Sequence, residues 1–103
     1  MVYLSNAFSL QMLDISQATD IRVTPVDSSV VAKSGFKSVI GHPDTASVVS
    51  SLLGTDVPCN RTSVSLAKGD ILYVAQVTGG RLPAGATTLP DGFKIVFLMV
   101  TIL

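Results

Sequence analysis

Short stretches of the chain carry β-branched and aromatic residues, some alternating with polar ones, and each stretch predicts a β-strand. The predicted strands cover residues 2–7, 20–26, 63–66, 70–77 and 93–102. Pro25 predicts that its strand lies at a sheet edge or ends there, because proline cannot donate a ladder hydrogen bond. The last stretch, FKIVFLMVTIL, is the longest apolar run and predicts a central strand.

Glycines and prolines mark the connections between these predicted strands. Ala67, Lys68 and Gly69 separate two of them by the length of a tight turn, which predicts a hairpin. The stretch GGRLPAGATTLPDG, residues 79–92, follows the second of these strands. We expect it to be a binding loop, because loops carried on a rigid scaffold often hold binding residues. Residues 28–39 show no clear pattern.

The clearest predicted helix covers residues 43–53. Pro43 suits the first helical position, where an amide has no helical partner, and Gly54 suits the position after the end. Four apolar residues recur between them at helical spacing, namely Val48, Val49, Leu52 and Leu53. Serines occupy the opposite face. This spacing predicts a helix packed on one side against the sheet.

A second, shorter helical turn is predicted at residues 9–14, with Ser9 as its cap. Strands and helices together predict an α+β fold with a mixed sheet of about five strands and helices packed on it. The length of 103 residues predicts a single domain, residues 1–103.

Composition narrows the range of partners. The formal net charge is zero, and long duplex DNA or RNA needs a broad basic face that this chain lacks. A small nucleotide needs only a few well-placed donors. Hydrophobic residues make up 48% of the chain and charged residues 14%, so we expect part of the apolar surface to be buried against another subunit.

The single cysteine, Cys59, cannot form a disulfide within the chain, which favours a cytoplasmic location. One cysteine and one histidine also argue against a zinc site, and we expect no metal and no cofactor. We expect Cys59 to be a small packed thiol. The final apolar run is too short to span a bilayer as a helix, and MVYLSNAFSL lacks the basic region of a signal peptide.

His42 is the only histidine, and it stands directly before the predicted helix. A helix start attracts phosphate through its unpaired amides and its dipole. If a phosphodiester rested on the amides near Asp44 and Thr45, His42 could protonate a bridging oxygen. The alternative is that His42 only caps the helix or lies on the surface.

Arg61 and Arg81 are candidate phosphate ligands, since guanidinium groups hold phosphates through paired hydrogen bonds. Taken alone, an arginine of this kind is more often a solvated surface charge. Asn6 and Ser9 follow the first strand and Gln76 lies late in another, where polar groups can line a pocket. No second histidine could serve Cys59 or a serine as a base, which argues against a hydrolase with a protein nucleophile.

Four stretches occur in a characteristic order: VYLSNAFSLQML, VIGHPDTASVVSSLLGT, NR and DILYVAQVTGGRLPAG. In them the chain resembles the small viral ring-nuclease family of archaeal viruses, phages and other mobile elements. Members of that family act as anti-CRISPR proteins against type III systems. The resemblance covers most of the chain and is weakest in residues 14–38 and 86–103.

The resemblance implies a homodimer that binds cyclic tetra-adenylate and cuts it, without metal, to linear di-adenylates with a 2′,3′-cyclic phosphate. By position, His42 corresponds to the general acid of the family, and Arg61 and Arg81 correspond to its phosphate-binding arginines. The ligand-contacting polar positions correspond to Asn6, Ser9, Gln11, Asp44, Thr45 and Gln76. Gln11 stands where an asparagine is usual.

Two residues depart from the family pattern. Ala84 stands where a loop glutamate is often found, and Asp44 stands where a small polar residue is common. The chain contains no glutamate at all. Two other functions therefore stay open: a slow or inactive protein that sequesters the cyclic nucleotide, and a structural or interaction protein of a mobile element.

Overall fold

Five strands of the chain form one mixed sheet in the order β2-β5-β4-β1-β3. The computed structural model describes residues 1–103. The strands are β1 (Val2–Ser5), β2 (Ile21–Val26), β3 (Lys37–Ser38), β4 (Ile71–Thr78) and β5 (Lys94–Ile102). The helices are α1 (Ser28–Ala32) and α2 (Pro43–Leu53), with a 3-10 turn at Leu10–Met12. The predicted α+β fold with a five-stranded mixed sheet and helices is confirmed.

The sheet has a parallel half and an antiparallel half. β1 runs parallel to both β3 and β4, so the carboxyl ends of these three strands meet at one edge of the sheet. β5 runs antiparallel between β4 and β2. β5 is therefore an interior strand, as its apolar run predicted, and Pro25 lies in β2 at the edge, also as predicted.

Hydrophobic side chains form two separate clusters. The first joins α1 and α2 to the sheet, with Leu4, Val49 and Tyr73 among its members. The second has Leu72 and Val100 among its members, from the alternate positions of β4 and β5. Because successive strand residues point to opposite faces, each strand of the sheet's centre contributes to both clusters.

The predicted helix at 43–53 is confirmed to the residue. Pro43 occupies its first turn, and Gly54 ends it in the left-handed conformation with φ of +67°. Val48 and Val49 are fully buried, which fixes the face that packs on the sheet. The capping of the turn after β1 is also confirmed, because the Ser9 hydroxyl accepts a hydrogen bond from the Gln11 amide.

The predicted strand at 63–66 is wrong. Both edges of β4 are already paired, with β1 on one side and β5 on the other, so no edge remains for a hairpin partner. Val64 and Leu66 are instead buried in the second cluster from an irregular segment. The turn before β4 is present, with the Asp70 amide donating to the Ala67 carbonyl at 3.0 Å. The unassigned residues 28–39 contain α1 and β3.

Cys59 lies in the segment that follows α2. Cys59 is exposed, so the expectation of a packed thiol is wrong. Val57 is the only buried residue of the segment around Cys59, residues 54–63. No helix of the protein has the length and apolar character needed to cross a membrane.

Candidate functional site

An open cleft of about 630 Å³ lies at the edge of the sheet where the parallel strands end. Asn6 follows β1 directly, and Gln76 lies near the end of β4. The chain reaches α2 through the residues that follow β3, so the start of α2 lies at the same edge. The region beyond the carboxyl ends of parallel strands is where such sheets commonly bind ligands. The cleft is lined by Asn6, His42, Asp44, Thr45, Gln76, Val77, Gly80, Arg81, Leu82 and Ala84.

His42 is the N-cap residue of α2, in extended conformation, but its side chain makes no capping hydrogen bond. His42 is exposed and lines the cleft. Asp44 and Thr45 follow in the first turn, where a helix offers its amides no acceptor. The helix start therefore presents backbone donors and one imidazole together to the cleft, an arrangement suited to an anion.

The loop between β4 and β5, residues 79–93, covers the other side of the cleft. Its two ends lie against each other, because a Cβ on Gly79 would be 2.6 Å from the Gly92 carbonyl oxygen. Gly79 also has φ of +101°, which L side chains rarely adopt. Only glycine fits at position 79, where the two ends of the loop meet. The loop therefore leaves and re-enters the sheet at one place and extends Arg81 and Leu82 toward the cleft.

Two hydrogen bonds fasten the loop to α2. The Gly85 amide donates to the Asp44 carboxylate at 3.1 Å. The Ser51 hydroxyl, two turns further along α2, lies 2.9 Å from the Thr87 carbonyl oxygen and 3.2 Å from the Ser47 carbonyl oxygen, so its one proton has the loop carbonyl as the nearer acceptor. Asp44 is thus a lining residue of the cleft whose carboxylate also holds the loop.

The structure brings most of the predicted site residues into this cleft. Six of the nine line it: Asn6, His42, Asp44, Thr45, Gln76 and Arg81. The other three do not line it. Ser9 uses its hydroxyl to cap the 3-10 turn, and Gln11 is exposed on that turn.

Arg61 lies beside the cleft, next to the residues that lead into α2. Its Cγ is 3.0 Å from the position that a Cβ on Gly41 would occupy. Asn60 holds this segment in place with two hydrogen bonds. Its backbone amide donates to the Ile40 carbonyl at 2.8 Å, and its side-chain amide donates to the Ser38 carbonyl at 2.9 Å. Arg61 is exposed, and the residue that its side-chain carbons contact, Gly41, directly precedes His42.

Sequence reasoning did not identify Val77, Gly80 and Leu82 as lining residues. Val77 and Leu82 add apolar surface to a cleft that is otherwise polar. Val77 is the last apolar residue of β4 and lies beyond Val74, the last residue that pairs with β1, and the apolar stretch could not show where that neighbouring strand ends. Leu82 lies in the predicted binding loop, where an isolated leucine is not a signal by itself.

The charged groups of the cleft are few and of mixed sign. Arg81 and the amides at the start of α2 are donors for an anion, and His42 can transfer a proton. The Asp44 carboxylate is the only acidic lining group. No set of three or more His, Cys, Asp or Glu side chains is arranged to hold a metal ion.

Comparison with known proteins places the chain in a family. A structure of B116 from Sulfolobus turreted icosahedral virus has the same fold, with a TM-score of 0.75 over 97% of both chains and 28% identity. No curated protein matches the sequence. The model of the STIV B116-like family matches residues 2–94, which is most of the chain. This protein therefore belongs to the STIV B116-like family, whose namesake is a protein of an archaeal virus.

Proposed function

We propose that the protein is a metal-independent ring nuclease that binds cyclic tetra-adenylate and cleaves it, which would switch off type III CRISPR signalling in the host cytoplasm. One observation carries the proposal: the only histidine of the chain lines a cleft that is also lined by Arg81 and by the first-turn residues of a helix. These are the groups that a phosphodiester cleavage through the ligand's own hydroxyl requires.

The chemistry needs no nucleophile from the protein. The ribose 2′-hydroxyl attacks the adjacent phosphorus, a bond from phosphorus to the 2′ oxygen forms, and the bond to the 5′ oxygen breaks. His42 donates a proton to the departing 5′ oxygen. Arg81 and the amides of Asp44 and Thr45 hold the phosphate in line and stabilise its developing charge. The 2′-hydroxyl proton passes to solvent, and the product carries a 2′,3′-cyclic phosphate.

The size of the cleft supports a dimer as the functional unit. About 630 Å³ lies within the range of pockets that hold one drug-sized molecule. A ring of four nucleotides is larger, so one cleft accommodates part of it. Two clefts related by a two-fold axis would present two copies of His42 to opposite phosphates. This accounts for products that are two linear di-adenylates.

A second candidate function is sequestration, in which the protein binds the cyclic nucleotide and cleaves it slowly or not at all. Ala84 favours it, because it lines the cleft with a methyl group at the position where the resemblance implies a carboxylate. Binding through Arg81 and the helix start does not depend on that carboxylate. The two functions therefore share one site and differ in rate.

A product assay tests the proposal. Cyclic tri-, tetra- and hexa-adenylate are each incubated with the protein and EDTA, the products are identified by chromatography and mass spectrometry, and the binding of each ring is measured by calorimetry. Linear di-adenylate with a cyclic phosphate from the tetra-adenylate is the expected result. Tight binding without products would establish sequestration. Absence of binding to all three rings would exclude both functions and leave an interaction protein.

A further inference from the structure

We propose that Asp44 is a positioning residue that latches the 79–93 loop over the cleft, and that it takes no part in the bond-breaking step. The consequence for catalysis rests on the proposed function, but the latch itself does not. A single hydrogen bond joins the first turn of α2 to the tip of the loop: the Gly85 amide donates to the Asp44 carboxylate.

The latch joins two parts of the cleft wall. Asp44 is fixed by the first turn of α2, whose following residues are buried against the sheet. Gly85 directly follows Ala84, a lining residue, and its φ of +79° allows its amide to turn toward α2. Arg81 and Leu82 lie on the same loop. Holding Gly85 therefore sets how far the loop's ligand-facing residues extend over the cleft.

A second hydrogen bond to α2, from Ser51, restricts the movement of the loop. Ser51 binds the Thr87 carbonyl from a turn of α2 outside the cleft. Gly79 and Gly92 close the loop at its base. The loop is thus held at its base and at Thr87. The part that remains free to move is its tip, where Gly85 bonds to Asp44.

The same contact argues against Asp44 as a substitute for the absent glutamate. Its short side chain is directed to the Gly85 amide, which engages one carboxylate oxygen. Its negative charge also opposes a phosphate at the helix start. The latch therefore costs some ligand affinity and gains an ordered loop.

The first test needs no ligand. Hydrogen exchange at the Gly85 amide is measured by NMR in the parent protein, in Asp44→Ala and in Ser47→Ala, a control in the next turn of α2 whose exposed side chain makes no hydrogen bond to the loop. We expect about tenfold faster exchange in Asp44→Ala, since a hydrogen bond to a charged group contributes about that factor or more. Equal exchange in Asp44→Ala and Ser47→Ala would overturn the latch.

The second test compares kinetics of cyclic tetra-adenylate cleavage in Asp44→Ala and Asp44→Asn. Both lack the charge, and only asparagine retains an oxygen that can accept from Gly85. We expect the KM of Asp44→Asn to be about tenfold below that of Asp44→Ala, by the factor expected for the lost bond. A kcat lowered about a hundredfold or more in both variants, with equal KM, would make Asp44 a catalytic residue and overturn the proposal. If the parent shows no cleavage, the exchange experiment still decides the latch.

Discussion

Arg61 packs its side-chain carbons directly over Gly41, with its Cγ 3.0 Å from the position that a Cβ would occupy. Gly41 precedes His42, so this contact fixes the arginine segment against the chain that delivers the imidazole to the cleft. Any larger residue at position 41 would push Arg61 away. Arg61 can therefore have two distinct roles. Its side-chain carbons pack on Gly41, and its guanidinium group can bind phosphate.

Substitution of the two arginines tests their roles as phosphate ligands. Arg81→Ala should weaken binding of cyclic tetra-adenylate by about 10- to 150-fold, because a charge-assisted hydrogen bond contributes roughly 1.5–3 kcal/mol. Arg61→Gln should also weaken binding, while it keeps the carbons that pack on Gly41. Affinity is measured by calorimetry. Full affinity in Arg61→Gln, with a loss only in Arg61→Ala, would reduce Arg61 to a packing role.

His42→Ala should abolish cleavage while folding and ligand binding stay largely intact. The chain has no second histidine to supply the proton, and general acid catalysis contributes about 10²–10⁴-fold. Single-turnover rates measure the effect, with ligand affinity and thermal unfolding as controls. A rate within threefold of the parent would remove His42 from the mechanism.

Ala84→Glu should raise the single-turnover rate by roughly tenfold, the low end of what a positioned acid–base group adds. Ala84 lines the cleft and leads into the latched Gly85, so a carboxylate there would lie near the bound phosphate. Ala84→Gln is the matched control, with the same length and no charge. Equal rates in the two variants would show that a loop carboxylate has no part in cleavage.

Gly79→Ala should destabilise the fold more than Gly69→Ala, although the two glycines have similar φ of +101° and +98°. Positive φ alone costs alanine roughly 1–2 kcal/mol. At Gly69 no atom lies within 4 Å of the new Cβ, whereas at Gly79 the Gly92 oxygen lies at 2.6 Å. Overpacking there adds about 1–3 kcal/mol. Urea unfolding measures the difference, and equal losses would contradict the closed loop base.

Asp70 should make stability fall on acidification. The Ala67 amide, and then the Met1 ammonium group, hold the pKa of its carboxyl below the ordinary value of 3.8. A carboxyl with a lowered folded-state pKa stabilises the fold above its unfolded pKa, and this contribution is lost as the pH falls through the folded pKa. The Tm of Asp70→Asn should therefore lie below the parent at neutral pH and approach it in strong acid. Asp91→Asn, in the loop between β4 and β5, is the control. If the Tm of Asp70→Asn and the Tm of the parent differ by the same amount at every pH, the prediction is contradicted.

The sequence predicted the fold well where the local signals were strong. Pro43 and Gly54 bounded α2 correctly because both residues act through their own backbone conformations. The strand at 63–66 failed because pairing depends on which edges of β4 are free, and β1 occupies one of them from the far end of the chain. β3, with two residues, is too short to leave a pattern.

The candidate site was predictable for the same kind of reason, and only in part. His42 could be found because it is the only histidine and precedes a helix start. The latch between Asp44 and Gly85 could not, because it joins residues far apart in sequence through one backbone amide. Ser9 was predicted both to cap its turn and to contact the ligand, and the sequence could not decide between these roles, since both need the same residue type.

The strand order has a consequence for synthesis of the protein on the ribosome. β1, made first, takes one of its two partners from β4, with Val2 beside Ile71, and β2 pairs only with β5, with Ile21 beside Ile102. Most of the sheet therefore cannot assemble until nearly the whole chain has left the exit tunnel. Pairings of such long sequence separation also form slowly, because the loop between them must close first. The nascent chain thus waits with its strands unpaired, and the cleft exists only after the last strand is in place.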